Sequence, residues 1–402
     1  MEQARHADRD AIWTRDFALA FAFTACLAFV FYLLVSAVAG YAVATFGVGD
    51  SVSGFAATGF VVGALGARMF VGPLMDVVGR YRLMLVGALA SVVFCLLYPF
   101  APTVGLFIVL RLLHGLAYGV AHTTVSAAVQ SLIPAHRRAE GTGYFMTSTV
   151  LATAFGPLLG VVLVNGPGHV WLFACATAFA LLAVVVLLFI RIPQRESEPF
   201  AWRALDPRGL FDPDGVRMGS VMLIGGVAYS SIMAFLAGYT AERGMPNAAA
   251  VFFLVFALGT VIARLFLGRV QDRLGDNPVM YPLFAVYAAA LLVVSVDLGP
   301  WGVAIAGILA GAGWGTLMSG LQAIAVKAAG PERTGVATSS FFFMLDAGFG
   351  VGPVLLGAVS TALGAPGMYR VAAGLVVLAG LAYALLHGRS AGGRPRRVRE
   401  KV

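Results

Sequence analysis

Twelve long apolar runs, at about 16–41, 53–74, 83–100, 103–131, 141–165, 168–190, 216–241, 247–268, 278–297, 301–328, 334–361 and 367–387, leave this chain few choices of fold. A hydrocarbon core about 30 Å thick takes about 20 apolar residues per helix, and nearly every run meets that length. Open strands would leave backbone N–H and C=O groups unpaired in lipid, so the runs read as helices. Composition agrees, because 60% of the 402 residues are apolar and only 11% are charged, against about 25% charged in an ordinary soluble domain. The expectation is an all-α membrane protein of twelve spans, numbered 1 to 12 in chain order, with no sizeable domain outside the bilayer.

The net charge of +8 would suit a nucleic-acid partner if its cations formed one surface. They do not. Twenty-two of the 27 Lys and Arg residues fall in the N-terminal segment, in alternate loops and in the tail, whereas the other set of loops holds only Arg243. Arg68, Arg111, Arg264 and Arg370 lie within spans or at their ends. This asymmetry places both termini in the cytoplasm, with the lipid bilayer rather than nucleic acid as the surrounding partner. The apolar run beginning near Phe17 is too long for a signal-peptide core and reads as a retained first span. Cys26, Cys95 and Cys175 all lie in apolar runs, so neither a disulfide framework nor a CxxC metal site is expected, and no cofactor or metal is implied.

The longest polar stretch, 191–217, contains Pro193, Pro199, Pro207 and Pro213 and reads as a cytoplasmic linker. It divides an N-terminal six-helix bundle, 1–190, from a C-terminal one, 218–388, and a basic cytoplasmic tail occupies 389–402. The halves repeat. Arg68-Met-Phe-Val-Gly72-Pro-Leu-Met-Asp76-Val-Val-Gly79 returns as Arg264-Leu-Phe-Leu-Gly268-Arg-Val-Gln-Asp272-Arg-Leu-Gly275, an offset of 196. Gly115-Leu-Ala-Tyr118-Gly119 matches Gly311-Ala-Gly-Trp314-Gly315 at that offset, and Gly156-Pro157 matches Gly352-Pro353. Two parallel six-helix units suit a transporter whose halves rock about a midplane site.

These residues resemble the major facilitator superfamily over nearly the whole chain. The turn Gly72-Pro-Leu-Met-Asp76-Val-Val-Gly79-Arg80-Tyr-Arg82 looks like its GxxxDxxGRxR signature, and Arg111-Leu-Leu-His114-Gly115 is similar to the RxxxG motif of proton-coupled members. In span 5, Gly143, Ala152, Gly156, Pro157 and Gly160 follow the glycine spacing of drug and metabolite antiporters, with Ala152 and Val161 departing from glycine. The run Asp346-Ala-Gly348-Phe-Gly350-Val-Gly352-Pro353 and the segment His136-Arg-Arg-Ala-Glu140-Gly141 look like the staphylopine-type metallophore exporter and its relatives. Span 1 lacks the acid and the paired prolines of many multidrug members. The resemblance implies proton-coupled export across a bacterial inner or plasma membrane.

Asp76 ends span 2 against an unfavourable helix dipole, so it should seek a cation or another helix's N-terminus. The expectation is a conformational latch with Arg80 and Arg68 as partners, or else a static salt bridge; Asp272 with Arg264 is its weaker copy. Asp346 is the one acid deep within a span and must face a cavity or a partner, or be protonated. It is expected to carry the proton, unless it is a permanently paired structural group. Arg111 is expected to tune that carboxylate or to bind anionic substrate groups, the alternative being a buried arginine satisfied by backbone carbonyls. His114, near Arg111, and His122 are candidates for relay or substrate contact, against the plainer role of neutral hydrogen-bonding groups. Tyr32, Tyr118, Tyr229, Trp314 and Phe342 are candidates to line a cavity, against lipid-facing or core packing.

The expected activity is secondary transport: a monomer that exports a small amphipathic, anionic or zwitterionic molecule in exchange for protons. The alternative is a symporter or facilitator taking up a sugar or organic acid. Without a nucleophile–base pair or a phosphate loop, an enzyme is not expected.

Overall fold

The computed structural model describes residues 11–35, 37–165, 168–192, 207–245, 247–296 and 298–389, and nearly all of them are helical. Span 1 is Arg15–Val35, continued by Val38–Phe46. Spans 2 to 6 are Asp50–Val78, Arg80–Leu97, Val104–Val129, Arg138–Asn165 and His169–Leu188. Spans 7 to 9 are Pro213–Glu242, Ala248–Leu274 and Asn277–Ser295. Span 10 runs from Gly299–Ala310 through a π turn, Gly311–Gly315, into Thr316–Ala329.

Spans 11 and 12 follow one another within Thr334–Tyr383 and are separated where Gly364 leaves the helical conformation, with φ 71° and ψ 168°. Only a residue without Cβ takes that conformation at little cost, and it joins two helices as successive spans with no longer loop between them. Among the described residues, eleven helices are thus long and apolar enough to cross a bilayer, the last of them containing two spans.

The expected linker ends earlier than the polar composition suggests. A short helix occupies Pro207–Leu210, and span 7 already begins at Pro213. Asp212 is the reason: its carboxylate accepts the backbone N–H groups of Asp214 and Gly215 at 2.9 and 3.0 Å, and Pro213 needs no donor at the first helical position. The rest of the expected linker, 193–206, and the basic tail beyond Arg389 lie outside the described residues.

Within each half, helices close on one another through the same small residues. A Cβ at Gly115 would overlap the Phe60 carbonyl, and one at Gly311 the Phe256 carbonyl, both pairs displaced by 196 residues. Such contacts replace the hydrophobic drive that lipid cannot supply. Between halves, span 2 packs on span 11, span 8 on span 5, span 4 on span 11 and span 10 on span 5. The turns at Gly79, 130–138, Gly275 and Gly330 share one end of the bundle with the start of span 7; this end is the linker face below.

Candidate functional site

Arg68 leaves span 2 two turns before Asp76 and crosses to the other half. Its Nη1 stands 2.6 Å from Asp346 Oδ2 on span 11 and donates to the Phe342 carbonyl at 2.9 Å. The guanidinium lies 4.9 Å over the Phe342 ring, and the Ser339 hydroxyl donates to the Arg68 carbonyl. Asp346 is 8% exposed; a carboxylate so placed stays ionised only beside a cation with good geometry. This corrects the expectation that Arg68 serves Asp76. Its depth in span 2 brings the side chain level with the acid of span 11 and away from its own helix end.

Aromatic groups frame the pair. His122 stacks on Tyr118 with centroids 5.1 Å apart and meets the Phe342 ring edge-on at 5.4 Å. Phe31 stacks on Tyr118 from span 1 and meets the Tyr32 ring edge-on at 4.8 Å. Across the midline, Tyr229 stacks on Trp314 at 4.9 Å, with Phe349 against both. The fold thus gathers Phe342, His122 and Tyr118 beside the ion pair, reaches Tyr32 through Phe31, and stacks Tyr229 on Trp314 in the C-terminal half.

Arg111 and His114 are not part of it. Arg111 is fully buried inside the N-terminal half, where Nε and Nη2 donate to the Ala56 and Ala57 carbonyls at 3.2 and 3.4 Å. Its guanidinium sits 4.9 Å over the Phe60 ring. His114 Nδ1 bonds the Tyr98 hydroxyl at 2.8 Å between Phe60 and Phe94. Spans 2 and 4 approach so closely at Gly115 that Arg111 finds carbonyl partners on span 2, while His114 is taken up by Tyr98 just after span 3. The guanidinium beside Asp346 belongs to Arg68, which corrects the role expected of Arg111.

At the linker face, contacts between halves follow the repeat. A methyl at Gly72 would lie 2.9 Å from the Val336 Cα, and one at Gly268 2.7 Å from the Glu140 Cα. Asp272 accepts the N–H groups of Ala139 and Glu140, at the start of span 5, at 3.0 and 2.9 Å. A carboxylate on a helix N-terminus is the favourable geometry expected of Asp76, and its observed partners replace the Arg264 expected for Asp272. Arg264 instead donates from Nε and Nη2 to the Gly315 carbonyl. Asp76 and Arg80 sit beside the left-handed Gly79, φ 89°, with Asp76 part-buried, Arg80 buried and Arg82 exposed.

Sequence reasoning missed Glu140. It takes Arg137 Nε at 2.8 Å, Arg269 Nε from the other half at 2.6 Å and the Tyr144 hydroxyl at 2.9 Å. The signal available was asymmetry, because its repeat mate is Val336. A cavity of about 390 Å³ opens here between His136, Arg137, Glu140, Arg269, Asp272 and Arg273. In the antiporter-like glycine series, a Cβ at Gly156 would stand 2.7 Å from Tyr32 Cβ, and one at Gly352 2.8 Å from Ser230 Cβ. These glycines set how closely spans 5 and 11 approach spans 1 and 7, while Pro157 and Pro353 lie inside unbroken helices. Gly143 lies beside Arg264, and Gly160 is a buried member of the same helix.

Several known proteins are similar to this chain. The MFS-type transporter YhhS of Salmonella typhimurium is 30% identical, and that of Escherichia coli K12 29% identical, over 229 residues. Each match covers 57% of this chain and 55% of the relative, so the chain spans about half the length of these relatives. The human organic anion transporter MFSD10 superposes with a TM-score of 0.78 at 16% identity, covering 92% of this chain and 98% of that one. FucP, solved in an outward conformation, gives 0.76 at 15% identity, covering 94% and 99%. These solved structures share the fold. The Major Facilitator Superfamily description itself matches residues 20–353 and 255–401. The chain therefore belongs to the Major Facilitator Superfamily, a family of membrane transporters and not of enzymes.

Proposed function

We propose that this protein is a secondary active exporter of a small amphipathic zwitterion, exchanged for protons at Asp346 by alternating access. The observation that carries the reading is the Arg68–Asp346 pair, because it joins the two halves that must part and is the only ion pair among the described residues near the middle of the spans. A cationic group of the cargo and a proton compete for the same carboxylate, which is what exchange requires. The anionic end of a zwitterion meets the guanidinium so released, and Tyr118, Tyr229 and Trp314 pack its apolar part. Arg68 here takes the part expected of Arg111.

The linker face is the cytoplasmic face, on the distribution of Lys and Arg, in a bacterial inner or plasma membrane. Asp76, Asp272, Glu140 and Arg269 hold that face shut until binding weakens the central pair. The protein works as a monomer, since one chain supplies both halves.

A second reading is favoured by the same charges. Protonating Asp346 frees Arg68, so a purely anionic cargo binds together with the proton and symport results. MFSD10 is named an organic anion transporter, and FucP of E. coli a fucose:proton symporter. Proteoliposomes with trapped pyranine separate the two when a panel of zwitterionic amphiphiles, organic anions and sugars is added outside. Antiport raises luminal pH and symport lowers it. Solute flux that leaves luminal pH unchanged removes proton coupling altogether.

A further inference from the structure

Span 4 runs toward the linker face while span 11 runs away from it, so each four-residue step along one is matched by a step back along the other. The observed His122–Phe342 contact fixes the register. One turn toward the middle this places Tyr118 opposite Asp346. One turn toward the linker face it places Ser126 opposite Thr338, and the next brings in Thr334, while Gln130 of span 4 is held by the Thr142 side chain of span 5. The seam therefore carries a polar or titratable side chain at every level between Asp346 and the face.

Several of these groups have no partner among the described residues. His122 Nδ1, Ser126 Oγ, Thr338 Oγ1 and Arg68 Nε are all buried without one. Ser126 is 1% and Thr338 0% exposed. A hydroxyl left unpaired in a dry interior costs about 1–3 kcal/mol, and buried polar groups of this kind are normally satisfied by water. The mirrored seam, between spans 10 and 5, also buries an unpartnered side chain, Gln322, where Ser126 stands. It is interrupted toward the middle, because the repeat sets Met318 and Met146 where His122 and Phe342 stand, and Val150 where Asp346 stands.

We infer that the seam between spans 4 and 11 is a hydrated proton conduit from Asp346 to the linker face, lined by His122, Ser126 and Thr338. The inference rests on the proposed role of Asp346 and adds the route and its polarity. The Asp346 O–H bond breaks as its proton passes to a water beside His122. Each water along the hydroxyl column gives up one proton as it gains one, and bulk water at the linker face takes the last. The carboxylate left behind regains Arg68. The charged and titratable groups around His122 are Arg68 from span 2, Asp346 from span 11 and Tyr118 of its own span, so relay past this imidazole depends on the state of the central pair. The opposite path, past Met318 and Met146, is closed to protons.

The test follows the Asp346 carboxyl by infrared spectroscopy in reconstituted full-length protein, without cargo, after a jump of pH or of deuterium content at the linker face. Asp346→Asn identifies the band. In Ser126→Val/Thr338→Val its exchange slows by about tenfold or more; in Ser126→Thr/Thr338→Ser, which keeps both hydroxyls, and in the mirror variant Gln322→Leu it stays at the wild-type rate. A wild-type rate in the valine variant, or equal slowing in Gln322→Leu, overturns the conduit. Failure of the parent reading looks different: the band attributable to Asp346 never titrates.

Discussion

Spans 2 and 8 each send an arginine from the same repeat position into the middle of the molecule, and the two end differently. Arg68 crosses to Asp346 in the other half, whereas Arg264 turns back to the Gly315 carbonyl of its own half at 2.6 Å. The cause is one residue, because the repeat mate of Asp346 is Val150. Duplication supplied two equivalent cations, and an acid stands opposite only one. The difference separates two kinds of contact: what both halves share closes helices together, and the buried ion pair belongs to one seam alone.

The largest effects should come from breaking that asymmetry. Removing one partner of a buried pair strands the other charge, so Arg68→Met should lower stability by about 3–5 kcal/mol. Arg264→Met loses only bonds to one carbonyl and should cost less than about 2 kcal/mol. Thermal unfolding in detergent ranks the two, and equal losses would show that Asp346 gains nothing from Arg68. Asp346→Asn should abolish proton movement in the pyranine assay while Val150→Asn leaves it in place.

Next come the matched contacts at the linker face, where the halves are alike. A methyl at Gly72 or Gly268 meets backbone at under 3 Å, and overpacking of this kind costs about 1–3 kcal/mol. Gly72→Ala and Gly268→Ala should each shift the closed-to-open ratio of that face by about tenfold or more. Spin labels on the exposed positions Arg82 and Arg273 read this as a longer distance between halves. If only one variant moves the distribution, the two contacts are not equivalent despite their geometry. Asp272→Asn should act in the same direction and more weakly, by about 0.5–2 kcal/mol, because it keeps the hydrogen-bond acceptor and loses only the charge at the span 5 N-terminus.

The twelve spans were legible because lipid imposes length and apolarity on each, and the 196-residue offset because close helix crossings tolerate only small side chains. Gly115 with Gly311 is read as easily from sequence as from structure. The partner of Asp346 was not legible in that way. Arg68 and Arg111 are both span arginines, and only the depth of span 2 against span 11 tells which one reaches the acid. Arg111 breaks the repeat, its mate being Gly307, yet its asymmetry is absorbed by the carbonyls of Ala56 and Ala57. The early start of span 7 was hidden by composition, since a capping aspartate and a proline at a helix start also read as loop.

The smallest expected effect lies where the repeat reverses charge. The turn after span 2 carries Arg80, and the matching turn after span 8 carries Asp276. Burial pushes the Asp276 carboxyl up, but hydrogen bonds from His387 and Gln271, with the nearby charges, outweigh that and hold it below the ordinary carboxylate range. The bond to His387 is 2.9 Å and that to Gln271 also 2.9 Å. A carboxyl whose folded value is depressed stabilises the fold above its unfolded value and loses that contribution as pH falls through the folded one. The loss therefore falls below about pH 4, and with both side chains partly exposed it should stay under about 1 kcal/mol. Asp276→Asn should remove this acid-side slope and leave stability between pH 6 and 8 within about 1 kcal/mol of the parent, measured by unfolding across a pH series. A slope that persists in the variant would assign the acid sensitivity of this end of the molecule to another carboxylate, with Glu140 and Asp272, which join the halves, the next to replace.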